Sequence, residues 1–457
     1  MTHDRATIYA LSSGRPPAAI AVVRLCGPRA GFALEKLVGR IPKPRQATLA
    51  RVRDPATGEV IDEALALWFP GPHSETGDDM AELQLHGSHA VVAAVFDALK
   101  NIEGCRPAEA GEFTRRAFDN GRLDLTAIEG LADLVAAETP AQRRQAFRQL
   151  EGLIGDRAEA WREKIISAQA LVEARIDFSD EADVPEELVG PALRVAKELR
   201  DEIAGALAKS GRGERLRDGF VVAIAGPPNA GKSTLLNRLA QRDAAIVSAH
   251  PGTTRDAIEV HLNLGGYPVT LIDTAGIRAS VDPIEQEGIR RARERVAMAD
   301  LVLWLSDASA DGGGEEAVAT ANLSAGEVWL LRNKADLIAD RQPPRSELLS
   351  TNEPSRFFLL SALTGAGMEP LLAELSGCVQ RFFSGAEAPI VTRARHRRAL
   401  EETIAALDRA LAQAAGASEE LIAEDLRSAA TALGRLTGRV DVEDLLDVIF
   451  RDFCIGK

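Results

Sequence analysis

A chain of 457 residues is long enough for about three domains, each with its own core. Its 46% hydrophobic and 27% charged content is that of a globular protein, which sets aside disordered and fibrous classes. A net charge of −14 argues against a general nucleic-acid coat, although a local basic patch remains compatible with it.

The first residues, MTHDRATIYALSSG, lack the basic-then-apolar pattern of a signal peptide. No apolar run is long enough to span a bilayer, so a cytoplasmic chain with no membrane partner is expected. Cys26, Cys105, Cys378 and Cys454 are widely spaced with no C-x-x-C pair, which fits a reducing compartment better than a disulfide scaffold. Up to about residue 120, strand-like runs (Ala19–Leu25, Ala64–Phe69, Met80–Leu85) and one helical run (His89–Lys100) read as α/β. From Leu123 long helices take over. Phe147, Leu150, Ile154, Trp161, Ile165, Ala168, Val172 and Ile176 recur at steps of three and four, which predicts one helix from about Ala141 to Ile176. A further helix, about Ala192 to Lys209, ends at Ser210-Gly-Arg-Gly213, which reads as a linker. A nucleotide-binding α/β stretch follows to about Arg381, containing a glycine-rich run from Ala310 to Glu316 that reads as a surface loop. Helices then return, with Leu400, Ile404, Leu407 and Leu411 in register. This order suggests one helical bundle interrupted by an inserted domain. Two unrelated helical domains would give the same pattern.

The inserted stretch carries the chemistry. Phe220–Ala225 is a β-branched run, and Gly226-Pro-Pro-Asn-Ala-Gly-Lys-Ser233 fits G-x-x-x-x-G-K-[ST], with a helix starting at Thr234. The backbone of Asn229, Ala230 and Gly231 would cradle phosphates. Lys232 would reach the β- and γ-phosphates, and the Ser233 hydroxyl would hold Mg2+. Thr253 and Thr254 lie in a loop of suitable length to close over a γ-phosphate. Asp273-Thr274-Ala275-Gly276 ends the apolar strand Pro268–Ile272, its carboxylate suited to Mg2+ through water. Asn333-Lys334-Ala-Asp336 ends the strand Val328–Leu331, and Asp336 can accept two hydrogen bonds from guanine that adenine cannot donate. Ser361-Ala362 follows Arg356–Leu360 and closes the set. Five such elements in this order specify GTP.

Hydrolysis needs a group to orient water. The position after Gly276, a glutamine in Ras-type GTPases, is Ile277 here, so Glu285 in the following loop is the candidate. Positive charge beyond Mg2+ could come from Arg278. Asn229 offers another route, since its amide oxygen and loop carbonyls before Thr253 could hold a monovalent cation. Arg393, Arg395, His396, Arg397 and Arg398 form the densest basic cluster, readable as an RNA contact or as a solvated helix start.

These motifs resemble the MnmE (TrmE) family of tRNA-modification GTPases. So do Gly111-Glu-Phe-Thr-Arg-Arg-Ala-Phe-Asp-Asn-Gly-Arg-Leu-Asp-Leu-Thr126 and the terminal Phe453-Cys-Ile-Gly-Lys457. The resemblance implies a folate-binding and dimerising α/β domain (1–121), a helical domain in two halves (122–212 and 382–457) and an inserted G domain (213–381). By position it implies Glu285 as the catalytic glutamate and Mg2+ on Ser233 and Thr254. It likewise implies K+ on Asn229, Ser248, His250 and Thr253. GTP contacts would run through Thr234, Ser248, Thr274 and Ala275 as well as the motifs above. Arg24, Glu82, Arg122 and Lys457 would bind 5-formyl- or methylene-tetrahydrofolate. Arg122 stands where the family usually has lysine. The implied assembly is a homodimer joined by MnmG, an FAD- and NADH-dependent partner, in a heterotetramer that modifies the wobble uridine of certain tRNAs. A regulatory GTPase of the ribosome-assembly type and a folate-dependent aminomethyltransferase with an added G domain are the rival readings.

Overall fold

The computed structural model describes residues 6–178, 188–208, 210–241, 245–246, 259–273, 299–310, 327–338, 356–384, 389–413, 419–440, 446, 449–450, 453 and 456. They form two compact units. One comprises Met1–Ala132, Gln149–Asp201 and Ala399–Lys457, the other Asp133–Arg148 and Glu202–Arg398.

The first unit begins with a six-stranded sheet of β1 (Thr7–Leu11), β2 (Ile20–Cys26), β3 (Thr48–Arg53), β4 (Val60–Phe69), β5 (Met80–His86) and β6 (Cys105–Pro107). The order is β3-β4-β5-β2-β1-β6, antiparallel except for the β1–β6 pair. Period-two alternation sends Val23, Leu25, Ala64, Ala66, Leu83 and Leu85 to one face. There α1 (Ala30–Val38) and α2 (His89–Lys100) cover them with Leu34, Leu37, Val95 and Leu99. On the other face Ile8, Ala10, Cys26 and Met80 pack with Phe113 of α3 (Glu112–Asp119). The edge strands β3 and β6 carry too few apolar residues to be recognised by alternation alone, and β1, between β2 and β6, is a run of only five residues.

The Gly111–Thr126 signature is largely framework. Arg106 meets Glu112 as a two-pronged fork, Nη1–Oε2 2.8 Å and Nη2–Oε1 2.7 Å. Arg116 adds a contact to Glu112 and donates to the carbonyls of Ala6 and Cys26. Burial alone would raise the Glu112 carboxyl, but the Arg106 fork and the Glu109 N–H hold it below the usual carboxylate range. Asp124 caps α4 (Leu125–Ala136) by accepting from the Ala127 N–H at 2.8 Å.

The helices depart from expectation in two places. The stripe predicted as one helix is two, α5 (Pro140–Leu150) and α6 (Gly155–Asp177), because Gly152 at φ 95° breaks the ladder. Phe147 accordingly leaves the stripe and stands exposed. After α7 (Val189–Leu207), the expected linker is itself a helix, α8 (Ser210–Asp218). It is held by Gln145 Nε2 donating to Gly213 O (3.1 Å) and by Arg215 Nε on Asp300 (3.1 Å).

The second unit is built on a seven-stranded sheet of β7 (Phe220–Ala225), β8 (Ala245–Ile246), β9 (Glu259–Leu264), β10 (Tyr267–Asp273), β11 (Leu301–Asp307), β12 (Glu327–Asn333) and β13 (Arg356–Leu359). Its order is β13-β12-β11-β7-β10-β9-β8, with β7, β10, β11, β12 and β13 parallel. Helices α9 (Lys232–Ala240) and α10 (Met368–Phe383) bury Leu235, Leu236, Leu239, Leu371 and Leu375 against it. Each such leucine contributes about 2 kcal/mol.

The two unrelated helical domains are ruled out. In the first unit α6 packs along α12 (Glu419–Thr437), which lies beyond the seven-stranded sheet in sequence. Trp161, Ile165 and Val172 are buried on α6, and Ile422, Leu426, Leu433 and Leu436 on α12. Arg427–Glu173 (3.0 Å) joins their flanks, and Arg200–Asp408 (2.9 Å) ties α7 to α11 (Ala394–Ala412). The bundle is one structure interrupted by an insertion.

Glu112→Gln tests the framework role of the signature. A carboxyl whose folded pKa is depressed stabilises above its unfolded pKa, and that contribution is lost as pH falls through the folded value. The variant should be about 1–3 kcal/mol less stable at pH 7. It should also lose less stability than the parent on acidification from the ordinary carboxylate value downward, as read by denaturant unfolding across pH.

Candidate nucleotide site

The phosphate loop leaves the carboxyl end of β7, the middle strand of its sheet and the usual place for ligands in open α/β folds. Two glycines are required by close approach. A Cβ on Gly226 (φ 139°) would lie 2.1 Å from Leu305 O, and one on Gly231 (φ 95°) 2.2 Å from Asn333 Nδ2. Asn229, exposed at φ 62°, adopts the left-handed conformation asparagine tolerates best after glycine. Gly231 caps α9, so the helix N-terminus opens onto the loop. The loop and its donors fit a nucleotide phosphate chain. Lys232 Nζ lies within the same loop, on Gly226 O (2.8 Å) and Pro227 O (2.9 Å).

Asn333 ends β12 and is 3% exposed. Its Nδ2 donates to Ala230 O at 2.8 Å, and its Oδ1 accepts from the Ala362 N–H at 2.9 Å. One amide therefore joins the phosphate loop to the Ser361-Ala362 turn. Lys334 (φ 66°) turns the chain into a short 3-10 segment, Ala335–Leu337, and presents Asp336 exposed. Ser361 Oγ donates to Asp336 Oδ1 and so fixes that carboxylate.

Lys334 Nζ pairs with Asp307 Oδ2 at 2.6 Å. That ammonium, with Ser309 Oγ and its N–H, lowers the Asp307 carboxyl to about 2. Asp307 was missed by motif reading. The signal available was an apolar strand, Leu301–Asp307, ending in a carboxylate in register with Asn333. Asp273 ends β10 opposite Ile224 of β7, beside the start of the loop. Ser233 and Thr234 lie in the first turn of α9. Ser248, His250, Thr253, Thr254, Thr274, Ala275, Gly276, Ile277, Arg278 and Glu285 lie outside the described residues, as do Cys454, Lys457 and most of the run from Ala310 to Glu316.

In the first unit, Arg24 and Glu82 stand directly opposite on β2 and β5, with Nε–Oε1 at 3.0 Å. Arg24 Nη1 also reaches Glu75 at 3.1 Å. Arg122 is exposed on the turn after α3, where its N–H donates to Ala117 O. Ser12 Oγ donates to Gly456 O at 2.8 Å, which brings the residue before Lys457 against the end of β1. Among the described thiols, burial pushes Cys26 up to about 11 and likewise raises Cys105 and Cys378, which disfavours the reactive thiolate.

The basic cluster at the start of α11 is used internally. Arg393 pairs with Asp133 at 2.6 Å, Arg397 with Glu214 at 3.1 Å, and His396 is fully buried.

A phosphate loop at a central parallel strand, tied through a buried asparagine to an aspartate that can read guanine, defines a P-loop GTPase. Comparison with known proteins narrows the class. A family model described as the MnmE helical domain matches residues 125–454, and one described as the GTP-binding protein TrmE N-terminus matches residues 7–122. A tRNA modification GTPase MnmE of Bradyrhizobium sp. (strain ORS 278) is 58% identical over 455 residues, 100% of this chain and 99% of that one. The protein of the same name from Rhodopseudomonas palustris (strain BisB18) is 57% identical, covering 99% of each. Among solved structures, a variant of Aquifex aeolicus Era bound to GDP.AlF4- is 25% identical over 41% of this chain and 66% of that one, at a TM-score of 0.29. The chain belongs to the MnmE family.

Asn333→Ala should strand Ala230 O and the Ala362 N–H, costing about 2–4 kcal/mol in denaturant unfolding. GTP affinity should fall at least about tenfold through displacement of both loops. Unchanged affinity in a nucleotide titration would show that the tie does not shape the site.

Proposed function

We propose that this chain is a K+-stimulated, Mg2+-dependent GTPase that acts as a homodimer, with MnmG in a heterotetramer, on certain tRNAs. The product is an aminomethyl or carboxymethylaminomethyl group at position 5 of the wobble uridine. Its one-carbon unit is carried by 5-formyl- or methylene-tetrahydrofolate. The observation that carries the reading is the buried Asn333 amide, which makes the phosphate loop and the base-reading segments one site. The full-length likeness to proteins named tRNA modification GTPase supports the tRNA substrate over the ribosome-assembly alternative.

Within that reading the chain divides into residues 1–121, 122–212, 213–381 and 382–457, with the third stretch as the G domain. Ser233 and Thr254 hold Mg2+, which when bound offsets charge on the phosphates. Asn229, Ser248, His250 and Thr253 hold K+, and Glu285 orients the attacking water in place of the glutamine absent at Ile277. Asn229, exposed and at positive φ within the phosphate loop, is consistent with this. In the N-terminal domain Arg24, Glu82, Arg122 and Lys457 bind the folate. The cross-strand Arg24–Glu82 pair supplies a charged anchor on the sheet. Exposed Ile20 and the cross-strand pair Leu49–Leu65 on that sheet support dimerisation, since a bare apolar face costs less when covered.

GTP turnover should rise at least about tenfold when Na+ is replaced by K+, because the cation supplies part of what an arginine finger supplies elsewhere. Equal rates in the two salts would sink the K+ model. In cells lacking this chain, mass analysis of tRNA should find wobble uridines without the aminomethyl or carboxymethylaminomethyl group. Intact modification would remove the tRNA reading.

A further inference from the structure

Helix α5 has the sequence PAQRRQAFRQL and is the one described helix with three basic residues and no acidic one. Its inward face is fixed by backbone and amide contacts within the second unit. The Ala141 N–H donates to Gly266 O (3.1 Å), Gln142 Nε2 to Arg217 O (3.0 Å) and Gln145 Nε2 to Gly213 O (3.1 Å). Glutamines thus occupy positions where leucines would ordinarily pack, and each is spent on holding the helix in one orientation. That orientation leaves Arg143, Arg144, Phe147 and Arg148 on a single outward stripe, all exposed.

The stripe combines two features. Among the described residues the three guanidinium groups have no ion pair or hydrogen bond, whereas Arg24, Arg106, Arg116, Arg200, Arg393 and Arg397 all have carboxylate partners. In a chain of net charge −14, carboxylates to neutralise them are plentiful elsewhere on the surface. Phe147, between them, is 49% exposed and has no ring contact among the described residues. Glu138 and Glu151 lie just beyond the two ends of the helix, and none lies within it.

We propose that this stripe is a docking surface for RNA, with the arginines on successive phosphates and the Phe147 ring as a platform for an unstacked base. The charge is complementary to a polyanion, and positions 144 and 148, one turn apart, are separated by about 6 Å along the helix axis. Arginine with an interleaved aromatic is the chemistry that single-stranded loops are read by: planar forks for phosphate, a π-face for a base. This inference rests on the tRNA reading above and gives that substrate a place on the chain. A protein partner with an acidic patch would use the arginines but would gain nothing specific from a stacked base.

The test is fluorescence anisotropy of the full chain with a synthetic anticodon stem-loop RNA bearing an unmodified wobble uridine, across a salt series. Replacing Arg143, Arg144 and Arg148 together by Gln should weaken binding about 10- to 100-fold at low salt. It should also lower the salt slope by about 2, the counterion release of three single-strand contacts. Phe147→Leu should weaken it at least about fivefold with the slope unchanged, a readout that loss of charge does not mimic. GTP turnover and unfolding midpoint should match the parent in both. As a control for net charge, Arg40, Lys43 and Arg194 replaced together by Gln should bind like the parent. Equal weakening in that control would overturn the proposal, as would parental binding by the arginine variant. Loss of MnmG association with RNA binding intact would assign the stripe to a protein partner and overturn it too. These outcomes are distinct from failure of the tRNA reading, which shows as intact wobble modification in cells lacking the chain.

Discussion

The second unit depends on one side-chain amide. Asn333 is buried where no water can replace its partners, and it spends both ends on backbone, one on Ala230 and one on Ala362. Gly231 must lack a side chain because Nδ2 stands where the Cβ would be. The phosphate loop and the Ser361-Ala362 turn are therefore not independently placed, since a shift of one drags the other through a bond that costs about 1–3 kcal/mol to leave unmade. Neighbouring contacts reinforce the arrangement. Lys334 is held by Asp307, and Asp336 by Ser361, so each polar residue of the Asn-Lys-Ala-Asp run has its own anchor.

Charge is handled similarly in the first unit. Glu112 receives Arg106, Arg116 and a backbone N–H, and so converts a long sequence signature into a rigid corner between sheet and helices. What looked like a functional motif is, for most of its length, a device for fixing where β6, α3 and α4 meet.

Much of this was legible in the residues. Apolar runs found β2, β4, β5 and the parallel strands β7, β10, β12 and β13 but not β11, and helix α2 matched its predicted bounds because its stripe is bounded by Ser88 and Asn101. The phosphate loop and the Asn333–Asp336 run were legible because their chemistry needs fixed residue types at fixed spacing. What failed to show has physical causes. Gly152 interrupts a stripe whose period continues across it, so periodicity alone cannot reveal the break. Ser210-Gly-Arg-Gly213 has the composition of a linker and becomes helical only through partners far away in sequence, Gln145 and Asp300. Asp307 carries no motif, and the basic cluster at Arg393–Arg398 finds carboxylates that no local pattern announces.

The pairing of α6 with α12 sets a timetable for synthesis. About 240 residues separate Asp177 from Glu419, and at about 5–20 residues per second the ribosome takes roughly 10–50 s to deliver the second helix after the first. Through that interval Trp161, Ile165 and Val172 have no permanent cover. The seven strands of the G domain, by contrast, all emerge within that same interval and can close on one another. The nascent chain thus completes its nucleotide-binding sheet before its bundle, and carries an unpaired apolar helix that a chaperone or a compact G domain must shield until the last helices arrive.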